Sequence, residues 1–216
     1  MATLNEIVYN IALQVEKADD AVLLERLKFI VGYYRAQFIR QDQQRNHSLP
    51  SQFVQQIDCL EMEAANAMEC CTVEDIGCEV WRTKKTIPRP VRIYDGSEFG
   101  YVGTVDGKEP YQRTTGVQIA YAAHSKWSPN MPRYIYANDR IYVLNAKPAK
   151  ILIKGVFEQP QELEGYVCCD GTAAFSEDKP YPISFDMVQR ITQSILSQEM
   201  QLENRQNDSD EVQLSE

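Results

Sequence analysis

The sequence is poor in the residues that most catalytic and metal chemistry uses. It has two histidines in 216 residues, His47 and His124, which leaves very little material for a histidine-rich metal site or a conventional nucleophile–histidine–acid triad, and no nucleophile motif accompanies His124. Its six cysteines, at positions 59, 70, 71, 78, 168 and 169, contain no Cys-x-x-Cys or knuckle spacing, so no zinc site is read from them. Four of them form two vicinal pairs, poorly placed for a disulfide framework because adjacent cysteines bridge each other awkwardly. The expectation is reduced thiols packed as small hydrophobes in a reducing compartment. No apolar run approaches the roughly 18 residues of a membrane span, and the start lacks a basic leader followed by an apolar core, so neither membrane insertion nor secretion is expected. Gly100, Gly103 and Gly107 are not followed by Lys-Ser/Thr at phosphate-loop spacing, and Tyr101-Val102 between them reads as strand, so they are taken as hairpin glycines. No metal and no cofactor is expected. Cys168 or Cys169, beside Asp170-Gly171, has no base at a predictable separation unless His124 serves, and no catalytic residue is assigned.

What is present describes a folded body with uneven charge. Hydrophobic residues make up 44% of the chain and charged residues 25%, the balance of a globular protein rather than a disordered one. The formal net charge of −9 divides unevenly. Residues 1–78 hold 6 basic and 12 acidic side chains, residues 79–160 hold 13 and 7, and residues 161–216 hold 3 and 12. A basic centre thus lies between two acidic ends.

Hydrophobic spacing places helices at both ends and strands between them, an α+β protein with an N-terminal helical hairpin, an antiparallel β-rich middle, a C-terminal helix and an acidic flexible tail. Thr3-Leu4-Asn5-Glu6 is a capping box, and Leu4, Ile7, Val8, Ile11 and Val15 follow at helical spacing. Asp19-Asp20 caps a second helix running to about Arg45, with Leu23, Leu24, Leu27, Ile30, Val31, Tyr34 and Phe38 as its apolar stripe. Leu49-Pro50-Ser51 breaks that helix and starts a shorter one through Phe53, Val54 and Ile57. From Cys78 onward, β-branched and aromatic runs read as strands at 79–83, 99–105, 134–136, 141–144 and 150–157, with Asp106-Gly107 and Asn138-Asp139 as hairpin turns. Residues 117–123 read as a helical turn and Pro129 and Pro132 as a loop. Ser184 caps a last helix with Met187, Val188, Ile191 and Ile195 on one face. The regions are a helical 1–78, a β-rich 79–160, a closing 161–203 and a disordered acidic tail 204–216, assembled as one domain.

Trp81, Arg82, Lys84, Lys85, Arg89 and Arg92 form the most concentrated basic and aromatic segment, able to neutralise phosphates or to meet acidic protein surface. Asp208, Asp210 and Glu211 are its acidic counterparts in the tail. A basic centre and acidic ends on one chain can meet across identical subunits in a head-to-tail ring.

Leu24-Glu25-Arg26-Leu27-Lys28 with Tyr33-Tyr34-Arg35, Trp81-Arg82-Thr83-Lys84-Lys85 with Ile87-Pro88, Tyr101-Val102-Gly103, Gly155-Val156-Phe157-Glu158-Gln159-Pro160 and Tyr181-Pro182-Ile183, in that order, resemble structural proteins of crAss-like bacteriophages. Within that group the chain is similar to ring or adaptor proteins of the head-to-tail connector. The resemblance implies a virion protein in the neck or tail, assembled in the host cytoplasm into a twelve-copy ring around the DNA channel. Its implied partners are itself, the portal protein and other ring or tail proteins, with DNA passing through without sequence-specific contact. It implies no enzyme activity. The alternative reading is an intracellular regulatory or nucleic-acid-binding module that uses the basic segment 82–92.

Overall fold

The computed structural model describes residues 2–65, 80–92, 96–115, 118 and 131–197. Contacts gather into two compact units, Met1–Phe38 with Glu177–Glu216 and Ile39–Ser176. Each has a core of its own.

In the first unit the capping box closes as the sequence predicts. Glu6 N donates to Thr3 Oγ1 at 3.2 Å and Thr3 N donates to Glu6 Oε2 at 2.9 Å. Two otherwise orphaned amides are thereby satisfied, and α1 runs Leu4–Gln14 with Leu4, Ile7, Val8, Ile11 and Ala12 buried. Asp20 Oδ1 accepts from Val22 N and Leu23 N at 3.0 and 3.1 Å, opening α2, Ala21–Asn46. Leu27, Val31 and Tyr34 form the buried part of the α2 stripe. The chain returns at Thr3↔Pro180 through an isolated antiparallel bridge. Ser184 Oγ then accepts from Met187 N at 3.3 Å and starts a helix, α3, over residues 185–197. Met187, Ile191 and Ile195 are its buried face.

One large group in this core is charged. Arg35 is fully buried; it donates from Nε to Pro182 O at 2.7 Å and sits 5.7 Å from the Tyr181 ring centroid. Burial pulls its pKa down from 12.5 to about 10, opposed in part by Tyr181. Burial also pushes the Tyr181 phenol up to about 12, against the pull of Arg35.

The second unit is built on a seven-stranded sheet in the order β3-β7-β1-β2-β6-β5-β4. The strands are β1 Gln55–Ala65, β2 Val80–Thr83, β3 Tyr101–Gly103, β4 Gln112–Arg113, β5 Arg133–Ala137, β6 Arg140–Leu144 and β7 Lys150–Gly155. Neighbours are antiparallel except β4 and β5, which are parallel. Asn138 and Asp139 both take positive φ, 50° and 56°, and Ala137 pairs with Arg140. That is the primed two-residue turn whose twist matches a hairpin. Gly107, at φ 74°, turns the loop that closes Gly103 onto Pro110. The core gathers Ile57, Leu60, Ile141, Val143, Ile151, Leu152, Ile153, Val156 and Phe157, with Phe99 edge-on to Tyr136 at 5.3 Å between ring centroids.

Three expectations change here. The short helix expected through Ile57 is a single 3-10 turn, Ser51–Phe53, followed by β1. β1 is the long central strand, pairing its first half with β7 and its second with β2. Its Glu-, Met- and Ala-rich composition favours helix, but two flanking strands supply the backbone partners, and tertiary pairing overrides local propensity. A bulge, with the register shifting between Ile57 and Leu60 and Cys59 at φ 53°, also breaks the alternation that would have marked a strand. The thiols are not all reduced either: Cys59 and Cys169 form a disulfide with their Cα atoms 5.2 Å apart and a sequence separation of 110. In sequence the vicinal pairs argue against any disulfide framework, but adjacency disfavours only a bond within a pair, and the fold brings one member of the 168–169 pair to the β1 bulge. Cys168 keeps a free thiol. Third, the small strand β4 is parallel in an otherwise antiparallel sheet. The helical turn expected at 117–123 lies outside the described residues except for Gln118, which is helical.

Candidate functional site

The basic segment singled out in the sequence does not form one continuous patch. Trp81 and Arg82 lie on β2, opposite Ala64 and Glu63 of β1. Arg82 Nε donates to Glu63 Oε1 at 2.8 Å, and Arg140 reaches the same carboxylate at 3.6 Å. Arg140 also donates to the carbonyls of Thr83 and Lys84 at 2.7 and 3.0 Å, tying β6 to the end of β2. Lys84 pairs with Glu61 at 3.2 Å, both side chains about 60% exposed, a geometry of small energetic value. Lys85 donates to Gly165 O at 2.9 Å and lies 5.5 Å from the Tyr166 ring centroid. Trp81 is half-buried. Arg82 and Arg140 thus tie β1, β2 and β6 together, and Lys85 reaches the 160–165 turn.

Arg89 and Arg92 differ. Both are exposed, and among the described residues neither pairs with a carboxylate. They open on a basin of about 700 Å³ together with Arg40, Gln43 and Gln44 from the end of α2 and the tip of the β5–β6 hairpin. Arg40 pairs with Glu158, Arg113 holds Glu98 at 2.8 Å, and the Tyr136 hydroxyl donates to Asp139 Oδ1 at 3.1 Å. Burial, followed by Asp139, pushes the Tyr136 phenol well above its usual range. The basin was not legible in the sequence, because Arg40 and Gln43 lie some fifty residues before Arg89. Asp208, Asp210, Glu211 and His124 lie outside the described residues. His47 is exposed at φ 50° beyond the last turn of α2.

A second surface was also missed. Val22, Phe29 and Tyr33 on α2 are 80%, 64% and 57% exposed. At 3.6 residues per turn the three fall within about 40° of arc, away from the stripe that Leu27, Val31 and Tyr34 bury. The spacing marks the stripe that holds Leu27, Val31 and Tyr34, which is the buried one, and does not single out this second face.

Cys169, in a disulfide, offers no nucleophile. Among the described residues no group of three or more His, Cys, Asp or Glu side chains is placed to hold a metal ion, and no helix is long and apolar enough to cross a membrane. What the structure displays is a mixed-charge basin and an apolar helix face, both suited to contact with other macromolecules. The fold and these surfaces thus define an α+β protein with two candidate contact surfaces.

A family model described as phage tail ring protein 2, of the crAss ring group, matches residues 6–215. The chain belongs to that family and is a structural tail ring protein of crAss-like phages, a component of the virion. No curated protein matches the chain.

Proposed function

We propose that this protein is one subunit of a twelve-copy ring in the head-to-tail connector. The ring surrounds the DNA channel without reading DNA sequence and contacts the portal or a neighbouring ring or tail protein. It works by interlocking rather than catalysis, and it assembles in the host cytoplasm before joining the particle. The observation that carries the reading is the exposed Val22, Phe29 and Tyr33 stripe. Three large apolar side chains aligned on one exposed helix face lose water-exposed area only if another surface covers them. In a ring built head to tail the covering surface is a different patch on the next identical subunit, and symmetry repeats a modest contact around the circle. Engagement of Arg82, Lys84 and Lys85 within the chain leaves fewer free cations for phosphate, which counts against the nucleic-acid-binding alternative.

The test is mass photometry and negative-stain imaging of the full chain beside a Phe29→Asp/Tyr33→Asp variant, with far-UV circular dichroism as the folding control. Rings are expected from the parent, and monomers with an unchanged spectrum from the variant. Rings that survive the double substitution remove the helix face from the interface. A parent that stays monomeric and is absent from phage particles overturns the ring.

A further inference from the structure

We propose that the basin between the end of α2 and the β5–β6 hairpin binds a carboxylate-bearing peptide, and that its occupant is the acidic segment 199–216 of a second copy of this chain. The proposal rests on the ring reading insofar as copies must lie side by side. Two arginines of the basin, Arg89 and Arg92, are exposed without a carboxylate partner among the described residues. Guanidinium groups match carboxylates by paired, planar hydrogen bonds. A second observation is independent of charge: Gln43 lines the same basin, is only 2% exposed, and its Nε2 is buried with no hydrogen-bond partner. Buried amide donors are nearly always satisfied, and this one belongs to a residue of the basin wall. The basin, open to solvent and about 700 Å³ in volume, has room for a short stretch of such a segment.

The charge balance selects the ligand. Glu98, Asp139 and Glu158 stand among the arginines, so the lining is mixed rather than uniformly positive. A phosphodiester backbone carries acceptors alone and would face three carboxylates. A peptide brings carboxylates for Arg89 and Arg92 and backbone N–H groups for the acidic rim. Residues 199–216 carry Glu199, Glu203, Asp208, Asp210, Glu211 and Glu216 against one base, Arg205. Within a head-to-tail ring this segment and the basin are the complementary halves of one contact.

The test uses full-length protein carrying Asp208→Lys, Asp210→Lys and Glu211→Lys, so that its own tail does not compete, and a fluorescent synthetic peptide of residues 199–216 read by anisotropy. Saturable binding is expected, weakened about tenfold or more by adding Arg89→Glu and Arg92→Glu. Binding should return when those arginine-reversed chains meet a peptide carrying the three lysine changes. A peptide that does not bind, or that binds equally with and without the arginines, overturns the proposal. Binding of a 20-base-pair duplex at these arginines without binding of the peptide replaces it with a nucleic-acid site. Monomeric parent protein that refuses the peptide while the tail-reversed chain accepts it shows that the tail folds back on its own chain, which overturns the second copy as occupant. Imaging of the parent protein is scored separately: peptide binding with a parent that forms no rings and is absent from phage particles defeats the ring reading, and rings without peptide binding defeat this proposal alone.

Discussion

Arg35 gives the sharpest test of how the first unit is held together. Burial lowers its pKa from 12.5 to about 10, a penalty on the charged form of about 3 kcal/mol. Set against this are a hydrogen bond from a charged donor to Pro182 O, worth about 1.5–3 kcal/mol, and the approach to the Tyr181 ring, worth about 0.5–2 kcal/mol. Arg35→Met keeps most of the length, removes the charge penalty and forfeits both contacts, so it is expected to lie within about 2 kcal/mol of the parent. Arg35→Ala forfeits the same contacts and leaves a cavity, which adds about 2–5 kcal/mol. The expected outcome is a gap of at least about 2 kcal/mol between the two variants, or about 4 °C or more in midpoint for a chain of this size. Urea unfolding followed by circular dichroism measures it. Two variants that are equally damaging would mean that the hydrogen bond, not the packing, dominates. Two neutral variants would mean that Arg35 is not enclosed in this core.

The same site responds to alkali. Tyr181 is an acid whose folded pKa is raised to about 12, so its contribution is intact below pH 10 and is lost as pH rises from 10 through 12. Tyr181→Phe should therefore gain on the parent across that window, by up to about 3 kcal/mol, in urea midpoints taken at pH 9 and 11.5; parallel curves would refute the burial of the phenol. The Cys59–Cys169 disulfide closes 110 residues, for which chain entropy predicts at most about 5 kcal/mol. Adding reductant, or substituting Cys59→Ser, should lower the melting midpoint, and without reductant an alkylating reagent should label Cys168 but not Cys169. At Gly103 an added Cβ would overlap the carbonyl oxygen of Glu109, so Gly103→Ala should cost about 1–3 kcal/mol by forcing the 104–109 loop away from β3; an unchanged midpoint would show that the loop yields freely.

The helix starts were legible because capping is a local event. Thr3 with Glu6, Asp20 and Ser184 each lie within three residues of the amides they satisfy, and local groups state their geometry in local sequence. The Asn138-Asp139 turn was readable for the same reason, since few residue types tolerate two successive positive φ angles. The basic centre was visible as composition, but its division was not. Arg82 and Lys84 are paired by Glu63 and Glu61 of a strand that reads as helix from its composition, while Arg89 and Arg92 join Arg40 across some fifty residues of chain. Pairing decided β1, and chain return decided which cysteines meet. Sequence by itself determined the kinds of most elements, β1 excepted, with their caps and turns, and the resemblance to phage ring proteins. Only tertiary structure decided the strand order, the disulfide, the arginine basin and the exposed helix face, because each depends on contacts between residues far apart in the chain, whose partners no local pattern can name.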